Sequence, residues 1–206
     1  MMKTQKVLSS IKNICERRGI GWLIRAIEII CPPTGDVFID RLYQEISNII
    51  LIIEQSAQYR QNDPEDRITI DIVGLLRQTG YNATHDPDYR GHPDIRVSND
   101  NFVWLGEAKI HNSYEWLMDG LKQLHTRYMT GRENGSGILI YIFGSNAKNV
   151  IDEWRKRLTE SNECNLMNTV DCEENLTFWS IHRHESSGLD VKTKHIGISL
   201  YYNPQR

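Results

Sequence analysis

Long apolar runs are missing from this 206-residue chain. The longest, Ile49–Ile53, is far shorter than the roughly 20 residues that cross a bilayer. No apolar segment follows the lysines of Met1–Lys6, so neither a membrane partner nor a secretory signal is expected. Cysteine is scarce as well. Cys15, Cys31, Cys164 and Cys172 form no CxxC pair, and no Cys/His cluster has zinc-ligand spacing, which excludes the common zinc modules. Free buried thiols in a reducing cytoplasm are the expectation. Nor does one sign of charge dominate: 24 Lys+Arg against 27 Asp+Glu leave −3. That balance argues against a protein that coats nucleic acid by bulk electrostatics, and leaves room for an enzyme whose basic groups are local to one groove. Internal repeats and low-complexity tracts are absent too.

What is present is an ordered succession of helical and strand periodicities. Val7–Ile30 carries Ile11, Ile14, Cys15, Trp22, Ile24 and Ile27 at helical spacing, weakened by Gly19 and Gly21 and stopped by Cys31-Pro32-Pro33. From Asp36 to about Tyr59, Phe38, Leu42, Ile46, Ile49, Ile50 and Ile53 form a second stripe. Residues 1–60 are therefore expected to be an N-terminal helical element and 61–206 the main domain. Asp63 suits an N-cap and Pro64 a first helical position, with Ile68, Ile72, Leu75 and Leu76 turned inward until Gly80. Tyr81–Thr84 suits a short strand. Pro93–Val97 and Phe102–Ile110 suit two more, joined at the turn cluster Ser98-Asn99-Asp100-Asn101.

Next come a helix over Ser113–Met129, with Leu117, Leu121, Leu124 and Tyr128 on one stripe, and a doubly buried strand at Gly137–Gly144. A helix at Ala147–Leu158, a polar loop over Ser161–Glu174, and strands Thr177–His182 and His195–Tyr202 complete the chain. The expected class is α/β: an α-β-β-β-α-β core on a mixed sheet with a right-handed parallel crossover, an N-terminal helical extension and a C-terminal β-hairpin.

The chemistry-bearing segment is Pro93-Asp94, twelve residues, then Glu107-Ala108-Lys109. Pairing the strands about Asn99-Asp100 sets Val97 against Phe102 and Ile95 against Trp104. Alternation then puts Asp94, Glu107 and Lys109 on one face, with Asp94 one diagonal step from Glu107, roughly 7–8 Å at the backbone. Ile95, Val97, Phe102, Trp104, Ala108 and Ile110 point to the other, core face. Two carboxylates so placed suit a hard cation such as Mg²⁺. A lysine beside them can orient a water, accept its proton or stabilise developing phosphorane charge. Val103 and Leu105 share the acid face, so something must cover half of it and leave a semi-buried pocket.

These residues resemble the PD-(D/E)XK nuclease superfamily over roughly Asp63–Gly144: a helix with an acid near its start, the Pro93-Asp94 strand, the Glu107-Ala108-Lys109 strand, and a helix bearing Gln123. The resemblance implies a restriction-endonuclease-like fold and a metal-dependent endonuclease acting on DNA, of the kind used in phage defence or DNA repair. It implies Mg²⁺, with Mn²⁺ able to substitute, held by Asp94, Glu107 and the backbone carbonyl of Ala108. Lys109 would be the catalytic lysine, with Gln123 facing the site. The Gln-x-x-x-Tyr form of some relatives is not met, because Arg127 occupies the fourth place and Tyr128 the next. The alternative is a catalytically silent copy that binds protein or nucleic acid; the intact Asp94/Glu107/Lys109 set speaks against it.

Glu65 is the expected helix acid of the metal shell, since at about 100° per residue it falls within roughly 20° of Ile72 and Leu76, whereas Asp66 turns toward solvent and Asp71 to the opposite flank. The bland reading is a first-turn acid matched to the helix dipole. Trp116, Gly120, Gln123 and Arg127 align on one helix flank, with Arg127 a candidate phosphate ligand and Arg132 a second one. Trp104 and Trp116 are expected in the core more readily than as base-stacking platforms. His92, His111 and His125 read as plain polar residues, and His182, His184 and His195 as exposed strand positions. The expected partners are nucleic acid and, through the N-terminal helices, a second copy or another protein.

Overall fold

The computed structural model describes residues 10–11, 13–15, 17–19, 21–32, 34–85, 88, 90–99 and 102–204. Among them are five α-helices of the mixed α/β fold: α1 (Gly21–Ile30), α2 (Gly35–Gln55), α3 (Glu65–Gln78), α4 (Tyr114–Gln123) and α5 (Ala147–Glu160). One mixed sheet holds β1 (Asn82–His85), β2 (Ile95–Asn99), β3 (Phe102–Ile110), β4 (Gly135–Ile142), β5 (Leu166–Asp171), β6 (Thr177–Arg183) and β7 (Asp190–Ser199). Their spatial order is β1-β2-β3-β4-β7-β6-β5. The central β3-β4 and β4-β7 pairs are parallel and the flanking pairs antiparallel. Helix α4 is the crossover between β3 and β4, and β4 is buried along its whole length, as the apolar run over this segment requires.

Two apolar layers sandwich the sheet. On one face Phe38, Leu42, Ile46 and Ile53 of α2 and Ile68, Ile72 and Leu76 of α3 pack on Ile95, Val97, Trp104, Ala108 and Ile198. On the other, Leu117 and Leu121 of α4 and Val150, Trp154 and Leu158 of α5 pack on Leu105, Ile138, Ile140 and Phe178. Helix α2 is tied in by polar contacts as well: Trp104 Nε1 donates to the Tyr43 hydroxyl at 3.0 Å, which donates to the Ser136 carbonyl at 2.8 Å. No helix among the described residues is long and apolar enough to cross a membrane.

Several local expectations are corrected. Of the first helical run, Val7 lies outside the described residues, and Gly19 (φ +67°) interrupts the helix before α1. The N-cap of α3 is Pro64, without a side-chain bond, because Asp63 turns to Arg60 at 3.3 Å. Residues 161–174 are not all loop: β5 forms there against β6. Strand β7 begins at Asp190, since its outer half is completed by pairing with β6. The cysteines are all free, but among them only Cys15 is buried, and Cys31 is exposed.

His182, His184 and His195 are buried, not exposed. His182 and His195 are tolerated because their nitrogens are satisfied as neutral rings. Trp154 Nε1 donates to His195 Nδ1 (3.0 Å), so the His195 proton sits on Nε2 and goes to Ser180 Oγ (2.7 Å). The Ser180 hydroxyl then donates to His182 Nε2 (2.7 Å), and His182 Nδ1 donates to the Cys164 carbonyl (2.9 Å). Burial holds His195 well below the usual imidazole range and His182 at about 4, so the chain of donors stays neutral near pH 7.

Candidate active site

Strands β2 and β3 pair two residues out of the expected register: Ile95 lies against Gly106 and Val97 against Trp104. A shift of two preserves every facing, so the separation into acid face and core face survives. It also brings Asp94, one step before Ile95, level with Glu107 instead of diagonal to it. The shift has a local cause, since Ser98 and Asn99 continue β2 instead of turning, and Asn99 pairs with Phe102.

Three carboxylates from three elements converge on one ammonium. Lys109 Nζ lies 2.7 Å from Glu107 Oε1, 3.7 Å from Glu65 Oε1 and 3.9 Å from Asp94 Oδ2. Backbone amides of β3 hold two of the acids in place: Ala108 N–H donates to Asp94 Oδ2 at 2.8 Å and Ile110 N–H to Glu65 Oε2 at 2.7 Å. Glu65 is thus more than a dipole-matched first-turn acid. Asp66 is exposed, and Asp71 pairs with Arg60 at 2.8 Å, so neither joins the cluster. Ala108 buries its methyl in the opposite layer while its backbone borders the site.

The electrostatics are those of an incompletely neutralised cluster. Glu107 is 1 % exposed, and its Oε2 is buried without a hydrogen-bond partner. Burial first, then the neighbouring Asp94, push its carboxyl up to about 8. Asp94 is raised chiefly by burial, against the Ala108 amide, the charges of Lys109 and His85 and a hydrogen bond with Glu107. Glu65 is raised, again by burial first. Lys109 loses ground to burial, but the surrounding carboxylates outweigh it and hold the ammonium above its ordinary value.

Helix α4 forms the other wall. Ser113 caps it by accepting from Trp116 N–H at 3.2 Å. Gly120 lets it approach: a Cβ there would meet Lys109 Cγ at 3.0 Å and Cε at 3.1 Å. Gln123 lies one turn on, on the same flank. Trp116 leaves the expected core and stands 43 % exposed, its ring centroid 5.3 Å from Lys109 Nζ.

The expected helix to Met129 gives way at Leu124–Tyr128 to a π turn, closed by Met129 N–H to the Leu124 carbonyl at 3.0 Å. His184 Nε2 donates to the His125 carbonyl (3.1 Å) and His125 Nε2 reaches Thr193 Oγ1 (2.8 Å), anchoring the wide turn to β6 and β7. A π turn absorbs one residue more than an α turn. The residue it buries is Tyr128, and Arg127 is left exposed. The Tyr128 hydroxyl is raised by burial first and then by the charges of Glu107 and Asp94. The π turn therefore lies between Gln123 and Met129 and holds Tyr128, five residues on from Gln123.

One site neighbour had no signal in the sequence: His85, at the end of β1, whose Nδ1 donates to the Asp94 carbonyl at 2.8 Å. Arg132 is exposed, and among the described residues no ion pair joins it to the carboxylates.

Among the described residues, no group of three or more His, Cys, Asp or Glu is spaced to hold a metal ion as it stands; the Lys109 ammonium occupies the point on which the acids converge. Compared with known proteins, the chain matches no family model, and neither a curated protein nor a solved structure matches it.

Proposed function

We propose that this chain is a metal-dependent nuclease with a restriction-endonuclease-like core, hydrolysing phosphodiester bonds of DNA. The observation that carries the reading is the convergence of Glu65, Asp94 and Glu107 around Lys109, two of the acids pinned by consecutive outward-facing amides of β3. The element order α3-β1-β2-β3-α4-β4 supports the fold assignment.

The donor set fits a hard divalent cation. It is all oxygen, it carries more negative charge than one ammonium neutralises, and it includes a buried oxygen without a partner. Glu65, Asp94, Glu107 and the Ala108 carbonyl are the groups that would hold Mg²⁺ or Mn²⁺. When bound, the cation supplies polarisation of the phosphoryl group and acidification of a water.

The chain's own residues do the rest. The amides of Ala108 and Ile110 fix the acids without consuming their second oxygens. Lys109, held charged by its neighbours, suits stabilisation of negative charge on the phosphate better than proton abstraction. Gly120 brings α4 against the stems of Lys109 and Glu107, and Gln123, one turn on, is the α4 residue assigned to the approach. The slightly acidic charge balance fits delivery of substrate by a partner or a second copy.

One observation favours a second reading. The 2.7 Å Lys109–Glu107 pair neutralises the buried acid, as a catalytically silent copy would require. Incubation of plasmid, linear duplex, single-stranded DNA and RNA with the protein in Mg²⁺, Mn²⁺ or EDTA separates the two. Metal-dependent cleavage that disappears in Lys109→Ala supports the nuclease; absence of cleavage together with absence of Mg²⁺ or Mn²⁺ binding by calorimetry supports the silent copy.

A further inference from the structure

We propose that Trp116 is a stacking platform for an unpaired nucleobase next to the scissile phosphate, so that the site takes single-stranded or locally unpaired nucleic acid in preference to intact duplex. The inference rests on the nuclease reading and adds the substrate's form to it.

Trp104 and Trp154 are fully buried, and each donates its indole N–H to a partner inside the protein. Trp116 does neither. It is 43 % exposed, on a helix whose Leu117 and Leu121 are fully buried, and its N–H makes no hydrogen bond among the described residues. A large ring left in water on a helix with an available apolar stripe is not there for the core.

Its position is specific. Gly120, one turn along α4, lies against the stems of Lys109 and Glu107, and the Trp116 ring centroid is 5.3 Å from the Lys109 ammonium. A phosphate engaged by Lys109 is one sugar away from its own base, which brings that base to the indole. Stacking on an aromatic ring needs an open π-face. In an intact duplex both faces of each internal base are already covered, and exposing one requires unstacking. The platform is therefore selective for unpaired bases, and tolerant of which base it is.

The test uses the full chain with Ca²⁺ in place of Mg²⁺. A fluorescent dT oligonucleotide and a duplex of equal length are titrated against wild type, Trp116→Ala and Trp116→Phe, with thermal melts confirming that all three fold. The expected result is tighter binding of the single strand than of duplex by wild type. A loss of about 10-fold or more in single-strand affinity should follow in Trp116→Ala, with duplex affinity little changed and most of the loss restored in Trp116→Phe. Equal single-strand affinity in wild type and Trp116→Ala overturns the platform, as does an equal loss on both substrates or no single-strand binding at all. Cleavage separates this inference from its premise. Trp116-dependent strand binding without cleavage in Mg²⁺ or Mn²⁺ supports the platform and overturns the nuclease. Metal-dependent cleavage of single strand and duplex at one rate in wild type and Trp116→Ala overturns the platform and supports the nuclease.

Discussion

Replacing Glu107 with glutamine should make the metal-free protein more stable, and increasingly so as pH rises. The Glu107 carboxyl is 1 % exposed, lies beside Asp94 and has a folded-state pKa of about 8 against an ordinary 4.5. For an acid raised in this way the folded state favours the protonated form. Its contribution to stability is complete below the unfolded pKa, declines as pH rises, and is lost once pH passes the folded pKa. At about 1.4 kcal/mol per pH unit over that interval, keeping the carboxyl in the fold costs about 3–5 kcal/mol at pH 8 relative to pH 4. Glutamine has the same shape and no charge, so the desolvation and the repulsion from Asp94 that raise the carboxyl both disappear. It forfeits the charged bond to Lys109, which offsets part of the gain. A net stabilisation on the order of 1–3 kcal/mol remains, or several degrees in Tm for a domain of this size. Scanning calorimetry in EDTA from pH 5 to 8.5 should show the two proteins converging at the acid end and Glu107→Gln melting higher at the alkaline end. Mg²⁺ should raise the Tm of wild type and leave the mutant nearly unmoved, while cleavage falls by about 10²-fold or more. A Glu107→Gln protein that melts below wild type at pH 8 without metal would refute the reasoning.

Lys109→Ala should abolish cleavage by about 10²-fold or more and lower Tm in EDTA, because three carboxylates lose their ammonium; added Mg²⁺ should restore much of the melting loss. Glu65→Gln should weaken metal-dependent cleavage far more than Asp66→Asn at nearly equal thermal stability, and equal activity in the two would remove Glu65 from the site. Gly120→Ala should raise helix propensity by about 1 kcal/mol, yet the new Cβ must push Lys109, 3.0 Å away, by a few tenths of an ångström. Unchanged or higher Tm with cleavage reduced about 10-fold is expected, and full activity would show that the lysine stem yields freely.

The pair Asp94 and Glu107 was legible because strand alternation is insensitive to a register error of two. The expected pairing was off by that amount, yet every residue kept its face. Glu65 was legible because helical angle alone separated it from Asp66 and Asp71. Trp116 was misplaced, since an apolar residue beside a leucine stripe carries no mark of whether a neighbouring element covers it. The buried His182 and His195 failed for the complementary reason: a polar residue is admitted to the interior by partners such as Trp154 for His195 and the Cys164 carbonyl for His182, which lie far away in sequence.

Local pattern alone determined the helices and strands that frame the site, the apolar face that each presents, and the grouping of Asp94, Glu107 and Lys109 on one side of a sheet. These follow from periodicities of 3.6 and 2, which need no knowledge of neighbours. Only the tertiary structure decided how many strands flank the core, why the chain tolerates a π turn at Leu124–Tyr128, and that this turn buries Tyr128 and leaves Arg127 exposed. It also decided that three acids share a single ammonium. Each of these depends on desolvation and on hydrogen bonds between segments distant in the chain, and neither is a property of any segment alone.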